Sequence, residues 1–166
     1  MISALLLNIF LACAPSDNYL AAKPPTVLNG SVEAIDKMPV AIYGQWAIHS
    51  TLLQAKYPDD YKSSTSDVWI FTKWDNYLTL TNPVTEATAT INVDEVINNR
   101  ARFSRTSKNS RKHERETVQI TIENERFFGT DTFVIEKYKE GKLISQDVVK
   151  YKLQGTKISG DKNMFD

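Results

Sequence analysis

Cysteine is almost absent from this chain, and Cys13 is its one example. An internal disulfide is therefore impossible, and so is a Cys-rich zinc or iron–sulfur site. Histidine is nearly as scarce. His49 and His113 have no carboxylates spaced around them as metal ligands would be. Neither a Gly-rich phosphate loop nor a Gly-x-Ser-x-Gly elbow occurs. Net charge is also lacking, with 20 Lys plus Arg against 20 Asp plus Glu. The overall charge thus marks neither a nucleic-acid binder nor a generally acidic or basic surface. These absences point away from catalysis, a metal and a cofactor. Asp59-Asp60, the adjacent acid pair, lies in a Pro-containing loop and reads as solvated.

What is present suits one globular domain. The length is 166 residues and 42% of them are hydrophobic, enough for a single core and too many for wholesale disorder. Tyr, Phe, Thr, Val and Ile favour strands over helices.

Residues 1–12 carry no charge and are almost wholly apolar. The run is shorter than the roughly 20 residues that span a bilayer, and it suits the apolar core of a secretory signal. It ends in Phe10-Leu11-Ala12-Cys13, which resembles the lipobox of bacterial lipoproteins. The resemblance implies cleavage before Cys13 and lipid attachment to its thiol. Export to the cell envelope would follow, and, with Ala14 next, the outer membrane of a two-membrane cell. Residues 13–30 hold Pro15, Pro24 and Pro25 among small and polar residues and read as a tether. The expected domain spans residues 31–160, leaving 161–166 as a tail. A short helix over Ser31–Met38 is expected at its start, with Pro39 as the stop.

From Ile42 onward apolar and polar residues alternate. The alternation predicts strands at about 42–53, 67–74, 77–81, 86–94, 100–105, 115–122, 126–138 and 143–158. Turn signals separate them: Asp75-Asn76, Asn82-Pro83, Asn98-Asn99, Glu123-Asn124-Glu125 and Glu140-Gly141-Lys142. No helical stretch intervenes, so parallel βαβ architecture is disfavoured and sequential neighbours should pair antiparallel. The expected fold is all-β, an eight-stranded up-and-down barrel that eliminates its edges. An open or two-sheet arrangement of the same strands remains the alternative.

Gly44-Gln45-Trp46 stands at the start of the first strand, after a short helical turn and before the longest early loop, Gln54–Ser66. This resembles the Gly-x-Trp signature of lipocalin and related calycin barrels. The resemblance implies that Trp46 closes one barrel end, that Gly44 lets the chain pass close to it, and that the loop lids the other end. Thr130-Asp131 resembles part of the family's Thr-Asp-Tyr motif, with Thr132 in place of Tyr. The family's last strand offers an Arg to the Trp; here that strand holds no Arg, and Lys150 and Lys152 are read as its cations.

Two functions fit such a barrel. Trp46, Trp69, Phe71, Phe103 and Tyr151, with Trp74, Tyr77 and Phe133, could line a cavity for a small apolar or amphipathic ligand. Alternatively the barrel is filled, and its outer face docks another envelope component. His49, opposite Trp46 and Ile48 on its strand, reads as structural, and His113 as a solvated loop residue. The clearest charge anomaly is the segment 100–115. There Arg100, Arg102, Arg105, Arg111, Lys112 and Arg115, with Lys108, face Glu114 alone. On one outer hairpin face they would meet anionic headgroups or an anionic protein partner. A solvated loop reads equally well, and nucleic acid is a poor partner for an exported protein.

Overall fold

The computed structural model describes residues 32–75 and 77–159. The expected signal at 1–12, Cys13, the tether and the tail at 161–166 lie outside the described residues. A short helix, α1 (Val32–Asp36), and a 3-10 turn (Val40–Ile42) precede the strands. These are β1 (Gly44–Gln54), β2 (Ser64–Trp74), β3 (Tyr77–Asn82), β4 (Ala87–Ile97), β5 (Arg100–Lys108), β6 (Lys112–Glu123), β7 (Arg126–Lys139) and β8 (Lys142–Ser159). Each pairs antiparallel with the next, and β8 returns to β1. Among the described residues the sheet is thus a closed barrel of eight strands. None of the described helices is long and apolar enough to cross a membrane, which says nothing of strands.

Period-two alternation becomes an inner and an outer face. Trp46, Ile48 and Ser50 of β1 are buried, and the residues between them exposed. Left-handed residues close the turns: Asp75, Asn98, Asn124, and Glu140 followed by Gly141. Asn, Asp and Gly adopt that conformation most readily, and two such residues in a row suit a tight hairpin. Gly44 has φ 110° at the entry to β1, a conformation that excludes a side chain there.

Several boundaries differ from the sequence reading. Ile42 belongs to the 3-10 turn rather than to β1, because Ile42 and Tyr43 hydrogen-bond back to Pro39 and Val40. Strand β2 starts at Ser64, which shortens the β1–β2 connection to residues 55–63. Strands β5 and β6 run on to Lys108 and from Lys112. Most of the expected basic loop is therefore hairpin, and its tip is tied by Asn109, whose Oδ1 accepts from the amides of Arg111 and Lys112 at 2.9 and 2.8 Å. His113 accordingly sits in β6, with its ring 4.3 Å from that of Tyr138, and not in a solvated loop.

The inner face forms two apolar clusters. The larger holds Trp46, Trp69, Phe71, Phe103 and Phe127, and is plugged by Ala34, Ile35 and Met38 around α1 and by Ile42. The smaller holds Phe133, Ile135, Val149 and Tyr151.

Candidate functional site

At the plugged end, the Trp46 indole is fully buried and donates from Nε1 to the Ile42 carbonyl at 2.6 Å. The Lys157 ammonium stands 5.5 Å from its ring centre and donates to the Ala41 carbonyl at 2.9 Å. The β8 cation at the tryptophan is thus Lys157, which corrects the reading of Lys150 and Lys152 as that strand's cations. Lys150 and Lys152 occupy the outward-facing parity of that strand.

The aromatic side chains expected to line a cavity largely touch one another. Ring centres lie 5.0 Å apart for Trp46 and Phe127, 6.1 Å for Trp69 and Phe71, and 5.8 Å for Phe71 and Phe103. A void beside Phe103, Arg105 and Glu116 holds about 10 Å³, roughly room for one water. Tyr151 joins Phe133 in the other cluster, at 6.4 Å. Tyr77 takes the outward parity of β3, beside half-buried Thr79, and so departs from the expected lining.

Between the two clusters the inward positions turn polar. Arg105 continues the face of Ala101 and Phe103. Its guanidinium binds Glu116 Oε2 through Nε at 2.9 Å and Nη2 at 2.8 Å. This corrects its placement on the outer basic face. Glu116 is nearly buried, and burial raises its pKa although Arg105 opposes the shift. Asp131 is fully buried one row away, opposite Val118 and Tyr151. Lys112 also leaves the expected surface in part, because its ammonium pairs with the buried carboxylate of Glu114.

The connection at residues 55–63 lies against the smaller apolar cluster. Tyr61 Oη donates to Asp147 Oδ2 at 2.8 Å, and the Lys56 amide donates to Oδ1 at 3.0 Å. Ala55 and Tyr61 rest on the smaller apolar cluster. Burial, with the Asp147 carboxylate, pushes the Tyr61 phenol well above its ordinary pKa.

Outside the barrel, Arg100, Arg102, Arg111 and Arg115 are exposed. Arg102 lies at 4.0 and 3.9 Å from Asp94 and Glu95, separations at which exposed pairs contribute little. Among the described residues no ion pair engages Arg100, Arg111 or Arg115. A second feature is a groove of about 740 Å³ over the outer faces of β2, β1, β8 and β7. His49 lies within it, its Nε2 3.3 Å from Ser64 Oγ and its Nδ1 3.4 Å from Ser66 Oγ. Among the described residues no group of three His, Cys, Asp or Glu is placed to hold a metal.

Known proteins give no guide to this site. No family model, curated protein or solved structure matches the chain.

Sequence reasoning missed Glu116, the burial of Asp131, and the groove. Parity held the signal for Glu116, which continues the Val118 and Ile120 face of β6, and for Asp131, which precedes Phe133 by two. The groove joins residues 62–68 to residues 126–156, and no local pattern carries that contact.

Proposed function

We propose that this chain is an exported, lipid-anchored, lipocalin-like barrel whose lumen is a structural core and whose outer face is the working surface, an interaction module of the cell envelope. The ring-on-ring packing of Trp46, Phe127, Trp69, Phe71 and Phe103 carries this reading. A ligand in that half of the barrel would have to displace side chains that already bury one another, at about 1.5–3 kcal/mol for each. Lipocalin-like architecture is supported by the eight-strand meander, Gly44 at positive φ, and the indole of Trp46 between Ile42 and Lys157. Export and anchoring rest on Met1–Cys13 as a sequence. Binding of a small apolar ligand, with Trp46 and Trp69 as contacts, is the competing use of the same fold.

Titration with a fluorescent fatty-acid analogue separates the two. The filled barrel should leave Trp fluorescence unchanged. Saturable one-to-one quenching in the unaltered protein would overturn the proposal.

A further inference from the structure

We propose that the connection at residues 55–63 is a latch that loosens as pH rises, because ionised Asp131 takes the Tyr151 hydroxyl away from the Lys62 carbonyl. The latch lies over the smaller apolar cluster and goes beyond the outer-face reading above. Ala55 and Tyr61 pack on Phe133, Ile135, Val149 and Tyr151, so loosening uncovers those side chains.

Strand β8 holds the connection through Asp147, which accepts from Tyr61 and the Lys56 amide, and through Tyr151. The Tyr151 hydroxyl donates to the Lys62 carbonyl oxygen at 3.3 Å. Bonds between oxygens usually measure about 2.7–2.8 Å, so this hold is weak. The Leu52 amide donates to the neighbouring Ser63 carbonyl at 2.8 Å and reports on the same stretch. The Tyr151 hydroxyl also has a rival acceptor. Tyr151 stands directly opposite Asp131 in the β7–β8 ladder, and both are buried. Side chains so paired start from Cβ atoms about 4.5–5.5 Å apart. Both Asp131 carboxyl oxygens are buried without a hydrogen-bond partner among the described residues.

A phenol has one proton to donate. While Asp131 is neutral, that proton serves Lys62. A buried carboxylate needs a donor, and a charge-assisted hydrogen bond is roughly twice as strong as a neutral one. The cations nearby are committed elsewhere: Arg105 of β5 binds Glu116, and Lys112 binds Glu114, both on β6. Asp147 lies two inward positions further along β8, where Tyr61 donates to it. Burial and then the charge of Glu116 hold the Asp131 pKa well above the usual carboxylate range; Arg105 opposes this and Glu114 adds to it. Asp131 is therefore neutral at acid pH and ionises as pH rises. Burial and the Asp131 charge raise the Tyr151 pKa, so the phenol keeps the proton it donates. The latch is thus closed below the folded pKa of Asp131 and loosened above it.

The test is residue-resolved hydrogen exchange of the full-length chain between pH 5 and 9. Rates are read as protection factors, so that the pH dependence of the chemical exchange step cancels. Protection of the Leu52 amide should fall by roughly three- to tenfold over that range, as for the loss of one hydrogen bond. Asp131→Asn should keep the pH 5 level throughout. Tyr151→Phe should show the lowered level at every pH, with no further fall. Both substitutions nearly conserve shape, and cooperative melting curves would show that the fold persists. A flat profile in the unaltered protein overturns the inference, and so does a fall that survives in Asp131→Asn. A fall that survives in Tyr151→Phe overturns it as well, because charge alone, and not the exchange of the hydroxyl, would then loosen the connection. Those outcomes leave the filled-lumen reading intact, since only quenching by the apolar probe bears on it.

Discussion

Asp131 lies on the inner face of β7 with both carboxyl oxygens buried and lacking a hydrogen-bond partner among the described residues. Burial holds its pKa well above the usual carboxylate range. The charges of Glu116 and Glu114 add to the shift, and Arg105 opposes it. Tyr151 faces it from β8. Because folding raises this pKa, the stability it contributes is complete below the unfolded value of about 3.9 and is lost as pH rises through the folded value. Asp131→Asn removes the titration. The variant should therefore gain on the parent as pH rises from 5 to 9, by about 1–3 kcal/mol at the upper end. Thermal melts across that range check it, and a gain that is flat with pH would contradict it. Arg105 makes the opposite case. Arg105→Met leaves Glu116 buried without its cation and should cost about 3–5 kcal/mol in urea unfolding. The double variant with Glu116→Leu should recover most of that loss, because an apolar pair of similar volume replaces a desolvated ion pair.

In β7 and β8 two glycines stand where a side chain would not fit. A Cβ on Gly155 would stand 2.3–2.6 Å from atoms of the Phe127 ring, and one on Gly129 would stand 2.0 Å from the Gln119 carbonyl oxygen. Phe127 is fully buried against Trp46 and Trp69 and cannot swing away. Gly155→Ala should thus cost about 1–3 kcal/mol through overpacking. Gly129→Ala should cost more, because its obstacle is backbone of the paired strand. Denaturant midpoints for the two variants rank them directly. The turn between β3 and β4 is held differently. Asn82 is buried, donates to both oxygens of Asp67, and accepts from the Val84 and Thr85 amides. That fixes the Pro83–Glu86 connection without a glycine.

For the whole molecule, closure is the consequential contact. β1 and β8 pair from Gln45 with Ser159 to Gln54 with Lys150, across most of the chain. Such non-local pairing must close a long loop before it gains contacts, so folding should run on the millisecond-to-second scale rather than in microseconds. Both strands have partners on both sides, so their amides should exchange as slowly as those of β6. Hydrogen exchange resolved by residue tests this. Fast exchange along residues 46–51, with slow exchange in β6, would mean an open sheet.

The alternation by itself determined that the chain is strands, their approximate number, and which residues share a face, since a period of two is a local property of the extended backbone. Arg105 shows what was present and misread: its parity pointed inward, but charge suggested the surface, and only Glu116 on the next strand makes its burial affordable. The groove was not legible at all. Ser66, His49, Gln154 and Phe128 come from four strands spread across the chain, and their adjacency depends on register and on the ring closing. Whether the lumen is core or cavity depended in the same way on how side chains from distant strands fill a shared volume, a property of packing that no linear pattern encodes.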